Sequence, residues 1–373
     1  MDLALSESED LIAGAVRRFV DRDATREALV EISEGDSPSR PDWHAKMADA
    51  GWLAMLVPEA FGGGGATYLE TAMVAEELGR GPVPGPWLMS SVVAAGMLRA
   101  ARPSDARSSL FEGIASGAAV VVPLLRLRGA AGDDVVPASV TAEVAGPQLV
   151  LRGSVPFVPS AGTATHLLVA IGRADDGAHR LAVVRSDADG VRTRRLHGFL
   201  AWNDVVEFDG CTIAPADVIE LPEWHIDSAS IYPALALTAA YQVGGCRELL
   251  ERSIRYSNER VQFGQPIGRF QRVQDHIVRL LNACDTARWT TYEALWRLDA
   301  GRPAGVSVHL AKALATDGYY EAANAAHEVH AGIGSDPKFG LSLFSQMSRT
   351  LHDFLGSPRA HRRAMMNHLE QED

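Results

Sequence analysis

The sequence predicts an α+β, multidomain protein: an N-terminal helical domain over residues 1–118, a middle antiparallel β-domain of barrel type over 119–224, and a C-terminal four-helix bundle over 225–373. Three observations carry this. Apolar residues near the start recur at helical spacing. The middle third consists of short β-rich runs between turn residues, with no long helix to interrupt them. The last third returns to long segments of helical period, each long enough to pack in a bundle.

In the first zone, Ile12, Val16 and Phe19 form one apolar face. "RPDWHAKMADAGWLAML" predicts a second helix ending near Pro58. "FGGGGATYLETAMVAEELGR" predicts a flexible glycine connector feeding a third. As a phosphate cradle the glycine run would lack the Lys-Ser/Thr end of a P-loop. The strands are read from "AAVVVPLL", "GPQLVLRGSVPFVP", "THLLVAI", "HRLAVVRS" and "NDVVEFDGCTIAPADVI". Four helices are expected over 228–258, 270–299, 303–331 and 340–367, the last burying a stripe of Phe344, Met347, Leu351 and Leu355.

With 373 residues the chain can bury a sizeable core. Its formal net charge of -12 argues against a nucleic-acid footprint. No stretch reaches the roughly 18 uninterrupted apolar residues that span a bilayer, and the N-terminus shows no apolar signal core. Cys211, Cys246 and Cys284 lie far apart and without metal-ligand spacing, so neither a disulfide framework nor a zinc site is expected. Unpaired thiols suit a reducing compartment, and the expected location is cytoplasmic.

"RVQFGQPIGRFQRVQ", from Arg260 to Gln274, interrupts the C-terminal helices with two glycines and a proline. Read alone, it is a helix–helix turn with a surface arginine. With the helical, β, helical order it resembles the acyl-CoA dehydrogenase family of flavoproteins, whose pattern Arg-x-x-Phe-Gly-x-x-Ile-x-x-x-Gln it closely matches. "LVPEAFGGGGATYLETAMVAEELGRGPVPGPW" resembles the family's glycine turn and following helix, and "VHAGIG" sits where the family carries Gln-x-x-Gly-Gly-x-Gly. The resemblance covers most of the chain.

The resemblance implies oxidation of an acyl-CoA thioester between its α and β carbons, with a carboxylate base, FAD as hydride acceptor, and an electron-transfer flavoprotein downstream. It also implies an FAD shared between subunits. Arg260 would meet a partner's pyrophosphate, as a forked donor suits such a group. Phe263 would pack on the adenosine end and Gln271 would bond nearby. Gly264 and Gly268 would allow close backbone approach. Glu328, Gly332 and Gly334 would line the same cofactor, although Glu328 replaces the family's Gln and Ala331 its first Gly.

The family's two base positions fall on Leu355 and Ala234, neither of which can take a proton. Asp353, with His352, is the candidate for a displaced acid/base pair, and solvated helix face is its plainer reading. Tyr241 is a poor base near neutral pH. Glu248, Glu251 and Glu259 read as surface charges. The family's Trp-Ile-Thr flavin contact falls on Pro156, Phe157 and Val158, with Ser160 as a possible substitute hydroxyl; its Gly-Ser-Asp string has only "RGAAGDD" as counterpart. The chain therefore reads as the base-lacking subunit of a heteromeric acyl-CoA dehydrogenase, two copies of each chain, completing the FAD site of a paralogous subunit. The alternatives are a self-sufficient homotetramer with a displaced base, a same-fold flavin monooxygenase, or a helical scaffold without flavin.

Overall fold

The computed structural model describes residues 5–35, 39–128, 134–199 and 202–372. In chain order it runs helices, strands, helices. The helices are α1 (Glu7–Arg22), α2 (Arg26–Glu34), α3 (Pro41–Asp49), α4 (Tyr68–Arg80), α5 (Ala95–Ala100), α6 (Asp105–Ser116), α7 (Tyr232–Glu259), α8 (Gln271–Asp299), α9 (Gly305–His330), α10 (Leu341–Thr350) and α11 (Pro358–Glu372). The chain divides into two compact units, one of Met1–Gly35, Tyr68–Val83 and Leu235–Asp373, the other of Asp36–Thr67 and Pro84–Ala234.

In the first unit, Ser6 and Glu9 form a reciprocal capping box at the start of α1. The helix buries Val16 and Phe19 as the spacing predicts, together with Ala13 and Val20. Helices α4 and α7 cross at near backbone contact. A Cβ added to Gly79 would lie 1.8 Å from the Tyr241 carbonyl oxygen, and one added to Gly244 would lie 1.8 Å from that of Glu76. Only glycine fits at either point.

This crossing brings five charged groups together. Glu76 accepts from Arg247 and, at 2.7 Å, from the Tyr292 hydroxyl. Arg80 reaches Glu77 at 3.0 Å and Glu248 at 3.1 Å. Burial opposes the Arg247 charge, but the Glu76 carboxylate outweighs it and raises the guanidinium pKa. Glu248, expected at the surface, is instead buried and pairs with Arg252 as well. The local pattern around Glu248 could not show that α4 supplies its partner. Glu251 and Glu259 are exposed, as expected.

The fourth helix of the predicted bundle is broken. Helix α10 ends at Thr350 and α11 begins at Pro358, capped by the Ser357 hydroxyl, which accepts from the Ala360 amide at 3.2 Å. Ser-Pro is a helix-start signal that the apolar stripe masked. Phe344, Met347, Leu351 and Leu355 are all buried nonetheless. Leu355 lies between the helices with φ 58, followed by Gly356 at φ 108.

Beneath this turn lies a polar interior. His309 on α9 and His361 on α11 approach through their Nδ1 atoms at 3.0 Å, so one ring donates and the other accepts. Fully buried Lys312 donates to Thr316 at 2.8 Å, and Thr316 donates to Gln242 at 3.2 Å. Burial pushes His309 down to about 3 and Lys312 to about 7.

The second unit holds α3, α5, α6 and most of the strands: β1 (Val121–Pro123), β2 (Leu125–Arg128), β3 (Asp134–Pro137), β4 (Thr141–Ala145), β5 (Gln148–Pro159), β6 (His166–Arg173), β7 (His179–Arg185), β8 (Val191–Arg195), β9 (Asn203–Ile213) and β10 (Val218–Leu221). They form two four-stranded sheets, ordered β1-β6-β7-β10 and β4-β5-β9-β8, and a β2-β3 hairpin. Pairing is antiparallel as expected, except that β1 runs parallel to β6.

Two expectations fail here. The helix over "RPDWHAKMADAGWLAML" stops at Asp49, because Gly51 takes φ 76, and Trp52–Val57 are buried in turns. The glycine run is a packed turn, not a loose connector. Gly64 donates to Ala54 at 3.3 Å, and a Cβ on Gly63 would lie 1.6 Å from the Val57 carbonyl oxygen.

Two predictions follow from the helical unit. Gly244→Ala should lower stability by about 1–3 kcal/mol or more through overpacking. Gly14→Ala, at a helical site with its nearest neighbour 3.5 Å away, should be neutral or stabilising by roughly 0.5–1 kcal/mol. Urea melts of both variants check this, and equal losses would contradict the crossing. The depressed His309 pKa contributes stability that is fully present above the unfolded value near 6.5 and is lost as pH falls toward about 3. The urea midpoint should therefore drop between pH 7 and pH 4, less steeply in His309→Phe.

Candidate functional site

Helix α7 ends in a miniature hairpin of β11 (Val261–Gln262) and β12 (Gln265–Pro266). The register pairs Val261 with Pro266 and Gln262 with Gln265, leaving a two-residue loop of Phe263 and Gly264. Both take positive φ, 52 and 80, the mark of a type I′ turn. Asn-Gly and Asp-Gly are the usual occupants. A phenylalanine in the left-handed region is strained by about 1–3 kcal/mol, and this one is 93% exposed. Its ring meets Phe270 edge-on at 6.0 Å. The hairpin returns against α7 at Gly268, where a Cβ would sit 3.1 Å from the Ser257 carbonyl oxygen.

Arg260 stands at the hairpin's base. Its amide donates to Tyr256 at 2.9 Å and its carbonyl accepts from Ile267 at 2.8 Å. Its exposed guanidinium has no ion-pair partner among the described residues. Gln271 is the exposed first residue of α8. One turn before Arg260, Tyr256 stacks on His330 at 4.5 Å. That contact ties the hairpin's base to the end of α9, where Ala331 takes φ 52 at the position of the family glycine.

Beyond it, Gly332 is exposed with open space about its α-carbon. Gly334 is buried, its α-carbon facing Leu341, His327 and His330. Glu328 is exposed on the last turns of α9. The sequence pattern thus brings the hairpin and the α9 terminus together. The Tyr256–His330 stack that joins them was not legible, since the two lie far apart in the chain.

No proton acceptor occupies a family base position. Leu355 and Ala234 are 3% and 1% exposed. Asp353 is exposed and bonds its neighbour His352 at 3.0 Å. Tyr241 is fully buried; burial raises its pKa, and its hydroxyl donates to the Val83 carbonyl at 3.0 Å.

The residues at the Trp-Ile-Thr position form a bulge in the β5–β9 ladder between Val155 and Val158. Proline at 156, which lacks an N–H, suits a bulge. Phe157 takes φ 58 and turns outward, 65% exposed, while Val158 is buried opposite Asp204. Ser160 is no free substitute, because its hydroxyl donates to the Gly85 carbonyl at 3.3 Å. Most of "RGAAGDD" lies outside the described residues. Measured against an FAD, an unpaired Arg260, a protruding Phe263 and an open Gly332 fit a pyrophosphate–adenosine end. The counterpart positions for the flavin ring offer no free hydroxyl.

Comparison with known proteins agrees with the motifs. The family models "Acyl-CoA dehydrogenase, N-terminal domain" and "Acyl-CoA dehydrogenase, C-terminal domain" match residues 6–118 and 224–369. The acyl-CoA dehydrogenase IpdE2 of Mycolicibacterium smegmatis is 25% identical over 356 residues, covering 95% of this chain and 96% of that protein. Benzylmalonyl-CoA dehydrogenase of Aromatoleum aromaticum is 25% identical, covering 85% and 86%. Among solved structures, the ChsE4-ChsE5 complex from Mycobacterium tuberculosis shares the fold with a TM-score of 0.85 at 24% identity, covering 100% of this chain and 99% of that one. The chain belongs to the acyl-CoA dehydrogenase family of flavin-linked oxidoreductases.

Proposed function

We propose that this chain is the base-lacking subunit of a heteromeric acyl-CoA dehydrogenase, and that α,β-oxidation of an acyl-CoA thioester takes place on a paralogous partner. Arg260, Phe263 and Gln271 complete the partner's FAD site, with Glu328, Gly332 and Gly334 beside them. The supporting observation is an asymmetry. The strained, exposed hairpin is kept, while both base positions carry Leu355 and Ala234 and the flavin-contact position carries Val158. A protruding side chain in the left-handed region is unfavourable for an isolated chain and becomes useful where a partner receives it.

That a chain of this fold occurs in a complex of two differently named proteins, ChsE4-ChsE5, supports a mixed assembly, here with two copies of each subunit. FAD supplies the hydride acceptor in this family. What this chain adds is a fixed cation for the pyrophosphate and an aromatic face for the adenosine end, and it leaves the α proton to a carboxylate of the partner. Electrons then pass to an electron-transfer flavoprotein, and the complex works in the cytoplasm.

The chain expressed alone should purify without flavin absorbance. Co-expressed with a paralogue that carries the base, it should yield a yellow, active complex. Arg260→Ala in that complex should weaken FAD retention about tenfold or more, the loss of a charge-assisted hydrogen bond. Asp353→Asn should leave activity unchanged. A yellow and active chain on its own, inactivated by Asp353→Asn, would replace this reading with a self-sufficient enzyme.

A further inference from the structure

We propose that the β-unit carries a separate anion pocket, shaped for a phosphate dianion and held by Arg126, Arg173 and His179. These residues, with Val136, Pro137, Ser139, Ala170 and Gly172, line a cavity of about 170 Å³. Among the described residues no carboxylate lines it, although the chain as a whole carries a net charge of -12. The volume is below the roughly 300–1,000 Å³ of a drug-sized ligand site, and it suits one compact group. Two guanidinium forks and a hydroxyl suit a tetrahedral oxyanion.

The backbone is built to converge these groups. In the β6–β7 ladder Ala170 pairs with Leu181 and Gly172 with Arg180, so Ile171 is left over as a bulge. One extra residue in a strand of period 2 turns every later side chain to the opposite face. Arg173 therefore comes to lie directly opposite His179. Gly172 absorbs the bulge at φ 143 and leaves open space where a Cβ would stand. Arg173 is held by donating to the Gly177 carbonyl at 2.5 Å, and its Nη2 lies 3.4 Å from Nε2 of His179, which is 8% exposed.

On the adjoining hairpin, Arg126 pairs in register with Val136. Neither Arg126 nor Arg173 has a carboxylate partner among the described residues, and Asp176 in the following turn is taken by Arg102. Like charges gathered around one cavity without a counter-charge repel one another. A bound dianion would remove that cost.

The group could be inorganic phosphate or a phosphate monoester on a larger molecule. An acyl-CoA thioester carries one at its 3′ position, and only this last identification rests on the function proposed above. The test is titration calorimetry of the full chain with inorganic phosphate at constant ionic strength, chloride replacing phosphate in the control. Saturable binding at one site per chain is expected. It should fall at least tenfold in Arg126→Ala/Arg173→Ala, which should melt no lower than the parent without phosphate. Arg126→Ala alone, at an exposed position, serves if the double variant does not fold.

Binding that does not saturate, or that is indifferent to both variants, would overturn the pocket. CoA binding tenfold tighter than 3′-dephospho-CoA, with the difference lost in the double variant, assigns the pocket to the thioester. Equal affinities with phosphate binding intact assign it to free phosphate. Absence of phosphate binding in a chain that still forms a yellow complex would defeat this inference and leave the subunit assignment standing.

Discussion

The separation of α4 from α7 is set by two α-carbons, and the helical unit depends on it. At Gly79 and Gly244 each helix backbone lies where the other's side chain would begin. Helices more usually pack with axes about 8–10 Å apart. So close an approach leaves little room for apolar side chains at the crossing. The space around it is filled instead by two charged sets, Glu76 with Arg247 and the Tyr292 hydroxyl, and Arg80 with Glu77 and Glu248. Pairs buried this deeply are poor general stabilisers, but breaking one leaves a charge stranded. The crossing thereby fixes α7 in one position along α4, and α7 is the helix that ends in Arg260 and the hairpin.

From that anchor the chemistry divides. At the hairpin the fold spends conformational energy to push an aromatic ring into solvent beside an unpaired cation. At the base position it does the reverse: Leu355 occupies the left-handed region with its side chain sunk into the core. Where the family resemblance would place a base, the turn carries this packed leucine. In the β-unit, Phe157 and Val158 sit in a bulge, the first exposed and the second buried. On the proposed reading the hairpin would serve another chain's cofactor, while Leu355 and Val158 are taken up in packing.

Much of this was legible from residue types and periods. The helical, β, helical order, the long α8 and α9, and an interruption between α7 and α8 with Arg260 at the surface followed from local pattern, which reads the β11–β12 hairpin only as a plain helix–helix turn. The failures have physical reasons. The stripe from Phe344 to Leu355 kept its burial through a chain break, so periodicity continued where the helix did not. Ser357-Pro358 marks the break, and the stripe running into it conceals that signal. Glu248 has a charged residue's ordinary sequence context, and only the approach of Arg80 from α4 reveals that it is buried. The glycine run at residues 62–65 is compatible with looseness in sequence, yet Gly63 is required by a carbonyl packed against it. The β6 bulge that turns Arg173 toward His179 leaves no local signature beyond a glycine.

The most direct test of the central claim is the number of FAD molecules per polypeptide in the purified complex with a base-carrying paralogue, measured by releasing the flavin and counting both chains. If this chain only completes its partner's site, there will be half as many FAD as chains, and all of it will be lost when the partner is removed. One FAD for every chain, or flavin retained by this chain alone, would contradict the claim.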